Sequence, residues 1–422
     1  MSGHSFRFIH AADFHLEDAL RGLDEIPEHL KTTLIDAPHA AVRRVFDAAI
    51  SERVDFVILS GDLIDLDVSG PRTISFLLEQ FERLGERDIS VYWAASSNEA
   101  VSQWKDWMAL PANVHLFSHE RVEELSHFRS EYTIATIHGR SGAGKLRGGS
   151  GEYQGEPEGP FQIGVANGDV DSDVLAHRKI DYWALGGNNQ HTTLMTSPCR
   201  VEYPGSPQGR SMAEAGPHGC ILVHVEMDGD VRTQLLSTEA VRWRYETLSA
   251  DDATTRDQLH KILRNRMQEI INQGAQQPTL VCWAISEDTH NPMLHSGLGE
   301  ELTGWLREQF GYGSPAAWTV RVDVQPPVNM PEEWYEEDTI LGDYLRVTRD
   351  ELGKSNSVDL THFASPQYRT GELEPAMRTS GAAGKSRLLG EAAMLGVDLL
   401  RGDLTVHALE HGSRSAKEDL PT

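Results

Sequence analysis

The first hundred residues alternate between apolar runs of strand length and segments whose apolar residues recur at helical spacing. FRFIHAADFH and DFVILSGDLIDLD are short apolar runs that end in polar residues, as buried parallel strands do. The segment APHAAVRRVFDAAISERV, which lies between them, has apolar positions at helical spacing, and RTISFLLEQFERLGER repeats that pattern before a third strand, ISVYWAASSNEA. The order strand, helix, strand, helix, strand predicts an α/β layer with parallel strands and right-handed crossovers.

From about residue 113, short strand patterns follow one another with turn signals and few helices between them. They include EYTIATIHG, FQIGVANGD, DYWALGG and GCILVHVEMDG, and they predict a second sheet packed on the first. The segment 250–328 has the order helix, strand, helix, strand and predicts a smaller α/β unit. We therefore predict a main domain over residues 1–245, a capping domain over 246–330 and a helical, loop-rich region over 331–422.

Composition limits the classes of protein and of partner. Hydrophobic residues make up 39% of the 422 residues, as in globular chains, and the apolar runs are too short to span a bilayer. Acidic residues outnumber basic ones 64 to 38, so any contact with DNA must be local, metal-assisted or supplied by a partner. Three widely spaced cysteines and an N-terminus without a signal-peptide pattern lead us to expect a cytoplasmic protein.

Polar side chains suited to a metal follow each of the first three predicted strands. Asp13 and His15 come after the first strand, Asp62 after the second and Asn98 after the third. Because the carboxyl ends of neighbouring parallel strands meet at one edge of a sheet, we expect these side chains to converge. Carboxylates, an imidazole and an amide oxygen suit Mn²⁺, Zn²⁺ or Fe. Each residue alone also suits a turn or a helix cap, and it is their order on successive strand ends that favours a metal site.

The segment DYWALGGNNQ ends a further predicted strand in two glycines and three amides. A tight turn at a strand end is a common location for catalytic residues in α/β enzymes. The amides of this turn are weak ligands for first-row transition metals and are not acid or base groups. The pattern therefore predicts a turn at a location typical of catalytic residues, although its own side chains are neither strong metal ligands nor acid or base groups.

The chain resembles the calcineurin-like metallophosphoesterases and, within them, the SbcD/YhaO-type DNA repair exonucleases. The resemblance rests on FIHAADFHLEDALRGL, VDFVILSGDLIDLD, DYWALG and YPGSPQGRSMAEAGPHGCILVHV, which occur in the family's order across about residues 5–226. It implies a four-layer α/β/β/α core, in which helices flank two packed mixed sheets, and a small C-terminal α/β capping domain. It also implies hydrolysis of DNA phosphodiesters at two Mn²⁺ ions (or Mg²⁺, Zn²⁺ or Fe), an SbcC-like coiled-coil ATPase as partner, and a homodimer.

Several positions depart from the motifs that this resemblance carries. Among the positions that match the family's metal ligands, four keep the family's residue, namely Asp13, His15, Asp62 and Asn98. Glu99 stands where the family has its catalytic histidine, and Asn167 and Asn189 stand where it has metal-binding histidines. Gly187 replaces a third such histidine. Asp65, just after the second strand, could hydrogen-bond to one of the ligands.

The implied losses differ between the two ions. One ion keeps three of its four ligands and has Asn189 at the fourth. The other keeps only Asp62 and Asn98, because Gly187 has no ligand atom in its side chain and Asn167 offers only a weak amide oxygen. Glu99 cannot replace a histidine as an acid at neutral pH unless burial raises its pKa, although its oxygen could recruit a harder ion such as Mg²⁺. We expect one ion or none, and a phosphoesterase that is weak or inactive.

Two other functions stay open at this point. One is a non-catalytic DNA-repair subunit or scaffold that partners an SbcC-like ATPase. The other is a phosphoesterase with altered metal use that acts on a small phosphoester. Metal content and Mn²⁺-dependent cleavage of a generic phosphodiester distinguish these functions, because a scaffold needs neither.

Overall fold

The computed structural model describes residues 4–99, 110–142, 153–250, 254–273, 277–287, 297–324, 330–354 and 381–401. The strands of these residues are, in chain order, β1 (Phe6–Ala11), β2 (Phe56–Leu59), β3 (Ser90–Trp93), β4 (Val114–Leu116), β5 (Glu123–Arg129), β6 (Tyr132–Gly139), β7 (Phe161–Asn167), β8 (Tyr182–Gly186), β9 (Thr192–Met195), β10 (Arg200–Tyr203), β11 (Gly219–Val225), β12 (Val231–Ser237), β13 (Arg242–Ala250), β14 (Thr279–Glu287) and β15 (Ala317–Val324). The α-helices are α1 (Lys31–Ser51), α2 (Pro71–Gly85), α3 (Ser172–Leu175), α4 (Arg256–Gln273), α5 (Leu298–Phe310), α6 (Glu332–Glu336), α7 (Ile340–Leu352) and α8 (Gly381–Arg401).

The chain divides into two compact units. The first comprises Met1–Arg244, Ala275–Leu280 and Ser314–Ala316, and the second comprises Tyr245–Gly274, Val281–Gly313 and Ala317–Thr422. The domain boundaries given above stay predictions. Among the described residues, no helix has both the length and the apolar character needed to cross a membrane.

Two six-stranded mixed sheets form the framework of the first unit. The first has the order β12-β11-β1-β2-β3-β4, and the second has the order β5-β6-β7-β8-β10-β9. Strands β1 to β4 run parallel, with Phe8 opposite Phe56 and Phe56 opposite Ser90, and β11 joins β1 in the antiparallel sense. In the second sheet, β6, β7, β8 and β10 are parallel, and the edge strands β5 and β9 are antiparallel to their neighbours.

Apolar side chains form three clusters in this unit: between the two sheets, between the first sheet and its helices, and on the outer face of the second sheet. Phe8, Phe56 and Ile163 belong to the cluster between the two sheets, and Val57 belongs to the cluster that joins the first sheet to α1 and α2. Strand β2 is buried at all four residues because sheet residues point alternately into these two clusters. Around Trp183, the outer face of the second sheet is covered by α3 and the loop that carries Tyr153. The predicted α/β class with two packed mixed sheets flanked by helices is confirmed.

The second unit has its own apolar clusters. The three-stranded sheet β13-β14-β15 packs against α4 and α5 through Leu263, Trp283 and Leu302. The helices α7 and α8 pack against each other through a smaller cluster that includes Leu345 and Val397. The amphipathic spacing of α4, seen in RDQLHKILRNRMQEII, accounts for the burial of one helical face.

Candidate functional site

The candidate site lies in the first unit, where parallel strands of both sheets end. Asp13 and His15 follow β1, Asp62 follows β2, and Glu99 lies in a 3₁₀ turn (Ser97–Glu99) after β3. From the second sheet, Asn167 is the last residue of β7, and the turn that contains Asn189 follows β8. The convergence expected from parallel strand ends is therefore present for these segments. Asn98 lies in the 3₁₀ turn, and its side chain is outside the described residues.

The loops after β1 and β2 are joined by backbone hydrogen bonds in an unusual conformation. The N–H of Asp13 donates to the carbonyl of Gly61 at 2.9 Å, and the N–H of His15 donates to the carbonyl of Asp62 at 3.0 Å. Asp13, His15 and Asp62 all have positive φ, at 56°, 42° and 56°. Side chains other than glycine seldom adopt this region, and such strained residues cluster at functional sites. The fold thus holds three candidate ligands in fixed positions.

Asp13 is a buried carboxylate beside a second carboxylate. Its Oδ1 accepts a hydrogen bond from the backbone N–H of Gly187 at 2.9 Å, and its side chain is almost fully buried. Burial, and then the negative charge of Asp62, raise the pKa of Asp13 to about 7. A cation between these groups would relieve that excess of negative charge. The two carboxylates and the imidazole of His15 have the donor chemistry expected for Mn²⁺, Zn²⁺ or Fe. Among the described residues, however, only His15, Glu17 and Asp18 bring three ligand atoms within 4.8 Å of one another.

Asn167 directs its amide nitrogen, a hydrogen-bond donor, towards the site, and not its amide oxygen, which could bind a metal. Its Nδ2 donates to Oδ2 of Asp62 at 3.0 Å and to the carbonyl of Ser60 at 2.9 Å. Since both partners are acceptors, the hydrogen-bond network assigns the amide nitrogen to this side. The absence of a side chain at Gly61 leaves space for the amide group of Asn167, because a Cβ at Gly61 would lie 2.7 Å from Nδ2 of Asn167. In this orientation Asn167 neutralises part of the charge of Asp62 without binding a metal through that atom.

The turn after β8 brings the second sheet against the first. A Cβ on Gly186 would lie 1.8 Å from the carbonyl oxygen of Ser60, so only glycine allows this approach of two backbones. Gly187 has φ of 95° and donates its N–H to Asp13. Asn189 points its Nδ2 at Oε1 of Glu214, at 3.1 Å. The turn therefore acts through its backbone, and the side chain of Asn189 is engaged with a carboxylate.

Glu99, predicted at the position of a catalytic histidine, is fully buried. Its carboxyl group accepts backbone N–H bonds from Leu63 at 2.6 Å, from Asp62 at 3.2 Å and from Ser96. Burial raises its pKa to about 8, although these hydrogen bonds act in the opposite direction. The group faces backbone rather than solvent, which favours a role in holding the loops after β2 and β3 together over proton transfer to a substrate.

Sequence reasoning missed a second group of ligand atoms beside His15. His15, Glu17 and Asp18 each place one ligand atom within 4.8 Å of the others. Burial lowers the pKa of His15, but the hydrogen bond with Glu17 and the charges of Asp13 and Asp62 outweigh it, so the pKa is raised overall. Glu17 also accepts the backbone N–H of Asp65 at 3.0 Å, which ties Asp65 to this group through its backbone. The carboxylate of Asp65 itself accepts the N–H of Asp67 within the same turn.

Sequence reasoning also missed the role of Arg210, although its segment was noted as a family feature. Its Nη1 donates to Oδ2 of Asp18 at 3.1 Å, and its Nη2 donates to Oε1 of Glu214 at 3.0 Å. Only 9% of the side chain is exposed. The guanidinium is near enough to lower the pKa values of both Asp13 and His15, although burial is the largest single cause in each case and the pKa of each is raised overall. A positively charged side chain therefore lies at the edge of the site. Local sequence patterns could not reveal its contact with Asp18, because the two residues are 192 positions apart.

Comparison with known proteins finds a phosphoesterase family and one relative. The model of the calcineurin-like phosphoesterase family matches residues 6–185. The chain is also similar to the uncharacterized metallophosphoesterase YhaO of Bacillus subtilis strain 168. The two are 30% identical over 335 residues, which cover 75% of this chain and 81% of that protein. The family match contains Asp13, His15, Asp62 and Asn167.

Proposed function

The chain belongs to the calcineurin-like phosphoesterase family, and from that premise we propose a phosphoester-binding protein whose site holds one divalent cation and hydrolyses phosphodiesters weakly or not at all. The observation that carries this proposal is the hydrogen bond from Asn167 to Asp62. A second ion beside Asp62 would need another ligand atom at the position of Asn167, and here that side chain turns an N–H donor to Oδ2 of Asp62 instead of a lone pair.

A divalent ion held by Asp13, His15 and Asp62 would polarise a phosphoryl oxygen and lower the pKa of a bound water. The chain's own residues contribute position and charge. The N–H of Gly187 orients the Asp13 carboxylate, and the backbone bonds between the loops after β1 and β2 hold His15 and Asp62 in place. Since Glu99 is enclosed by backbone donors, no imidazole or accessible carboxyl group at that position delivers a proton to the leaving oxygen. This loss is the reason to propose weak turnover.

DNA phosphodiesters are the proposed substrate class, by the resemblance to SbcD/YhaO-type exonucleases. The net charge of −26 opposes a broad electrostatic contact with DNA, so the proposed contact is local to the cation and its rim. A small phosphoester is the alternative substrate, and it needs no extended basic surface.

Metal analysis paired with a hydrolysis assay tests the proposal. We expect elemental analysis of the full chain, purified without chelator and supplied with Mn²⁺, to give at most one ion per chain. Hydrolysis of bis(p-nitrophenyl) phosphate and of linear DNA should be slow or absent, and Asp62→Ala should abolish ion binding. Two ions per chain with rapid Mn²⁺-dependent cleavage would contradict the proposal.

A second candidate function is a non-catalytic subunit that binds an SbcC-like coiled-coil ATPase. The observation that favours it lies in the second unit, where apolar side chains of α7 and α8 are exposed, among them Ile340, Val347, Leu395 and Leu399. Co-elution of the full chain with a coiled-coil ATPase from the same genome, lost in Val347→Asp with Leu399→Asp, would support it. Elution of the chain alone, as monomer or homodimer, would oppose it.

A further inference from the structure

We propose that Arg210 binds the phosphate group of the substrate and supplies, at this site, positive charge that a second metal ion would otherwise bring. This inference rests on the proposed phosphoester-binding function and extends it to a named substrate-binding residue. It concerns the first unit alone, in which all the residues involved lie.

The first step is the fixed position of the guanidinium. Nε and Nη2 of Arg210 donate to the two carboxylate oxygens of Glu214 at 3.3 and 3.0 Å, and the backbone N–H of Arg210 donates to the same carboxylate at 2.9 Å. From the other side, Nη1 donates to Asp18 at 3.1 Å. A side chain held by two carboxylates on different loops loses little further freedom when it binds a ligand.

The second step is the donor capacity that remains. A guanidinium has five N–H groups, and three of them serve Glu214 and Asp18, so one N–H on Nη1 and one on Nη2 are left. One N–H on each terminal nitrogen is thus left to donate to phosphate oxygens, and several donors on one planar cation are the reason why arginine is preferred over lysine at such contacts. The part of the side chain that stays exposed is small, at 9%, so the ligand would bind in a largely desolvated place.

The third step is location. Asp18 donates its backbone N–H to the carbonyl of His15 at 2.9 Å, and Glu214 accepts a hydrogen bond from Asn189 in the turn after β8. Arg210 therefore links the loop after β1, which carries Asp13 and His15, to the turn after β8. That turn also carries Gly187, which donates to Asp13.

The fourth step is charge. Asp13, Glu17, Asp18, Asp62 and Glu214 place five carboxylates in this region, an arrangement that repels an anion. One divalent ion offsets only part of that charge, and in the proposed function a second ion is missing. The guanidinium of Arg210, which is bonded to Asp18 and Glu214, offsets a further part of that charge and so reduces the repulsion of an anion.

Calorimetric titration of the full chain with inorganic phosphate, and separately with dimethyl phosphate as a diester, tests the proposal. Each ligand is titrated into Mn²⁺-loaded and into metal-free protein. We expect Arg210→Met to weaken phosphate binding by about 10- to 100-fold, the loss typical of a charged hydrogen-bonded contact. Mn²⁺ affinity should change less than about threefold, since Arg210 is not a proposed ligand of the ion.

Two further variants keep the result interpretable. Arg21→Met is the matched control, because the exposed Arg21 also binds Asp18 but lies farther out, and it should leave the phosphate Kd within about twofold. Arg210→Lys keeps the positive charge but replaces three donor nitrogens by one, so we expect an intermediate loss. If Arg210→Met does not fold, as judged by thermal unfolding, Arg210→Lys decides.

The outcomes separate this inference from the proposed function. Unchanged phosphate binding in both Arg210 variants, with a lowered Tm, would mean that Arg210 only connects two loops and stabilises the fold. That result would overturn the inference. Binding of Mn²⁺ without any binding of phosphate by the wild-type chain would also overturn it and leave the ion site standing. If the wild-type chain binds no Mn²⁺, the one-ion site is wrong, and metal-free titration decides: phosphate binding that Arg210→Met removes supports the inference, and no binding overturns it.

Discussion

Asn167 directs its amide nitrogen at the carboxylate of Asp62, with 3.0 Å between Nδ2 and Oδ2. The two residues are the last of β7 and the third after β2, so the bond joins the ends of strands from different sheets. An imidazole in place of the amide would present a lone pair, whereas the amide presents a proton. At this position the side chain therefore offers Asp62 a hydrogen-bond donor and offers a metal no ligand atom on that side.

The first prediction is a gain of metal binding in Asn167→His. The imidazole removes the N–H from Asp62 and adds a nitrogen ligand, so we expect Mn²⁺ to bind at least about tenfold more tightly. Isothermal titration with Mn²⁺ measures the effect. Asn167→Ala is the control, because it removes the donor without adding a ligand. Equal Mn²⁺ affinity in the two variants would show that the imidazole position is not part of an ion site.

The second prediction concerns the contact between the two sheets at Gly186. A methyl group there would meet the carbonyl of Ser60 at 1.8 Å, which neither backbone can avoid without moving. We expect Gly186→Ala to lower the free energy of unfolding by about 2–4 kcal/mol and to weaken Mn²⁺ binding, because the Gly187 N–H would leave Asp13. Urea unfolding and Mn²⁺ titration give the two quantities. Gly70→Ala, which meets no atom within 4 Å, should change stability by less than about 1 kcal/mol.

The third prediction is a pH dependence of stability that originates at His10. Its ring nitrogens lie 3.0 Å from the Tyr182 hydroxyl and 3.0 Å from Ser60 Oγ, and burial, with a smaller effect of His191, lowers its pKa to about 3. The folded state therefore holds a neutral ring. Its contribution is complete above the unfolded pKa of about 6.5 and is lost as the pH falls towards 3, by about 1.4 kcal/mol per pH unit.

Chemical denaturation at several pH values between 4 and 8 measures this slope. His10→Gln should lower stability at pH 7 and flatten the dependence below pH 6.5. His119→Gln, at an exposed position, should leave both unchanged. An acid slope of equal size in His10→Gln and in wild type would refute the assignment.

The fourth prediction concerns a charged group enclosed between strands of the second sheet and β12. Glu202 is fully buried and accepts hydrogen bonds from Arg200 Nε at 2.8 Å, Thr233 at 3.1 Å and Tyr182 at 3.2 Å. Because Glu202→Ala leaves the Arg200 guanidinium without its carboxylate, we expect a loss of about 3–5 kcal/mol in the free energy of unfolding. Glu226→Ala, at a partly exposed ion pair with Arg232, should cost at most about 1 kcal/mol, and equal losses would contradict the prediction.

Local patterns in the sequence determined much of the fold and of the candidate ligand set. Continuous apolar runs such as FVIL determined buried parallel strands, because a strand covered on both faces has no polar side. The rule that parallel strands end at one edge brought Asp13, His15 and Asp62 together, since each follows such a run. The amides at 167 and 189 stand where the resemblance to the family leads us to expect histidines.

Only the tertiary structure decided what those residues do. Three contacts at the site join segments far apart in the chain: Asn167 with Asp62, the N–H groups of Asp62 and Leu63 with Glu99, and Arg210 with Asp18. Periodicity reports only which face of a local element is buried, whereas hydrogen bonds between strand ends depend on how two sheets are stacked. For this reason the sequence determined which chemical groups meet at the site, and the packing of the sheets decided which of their atoms face one another.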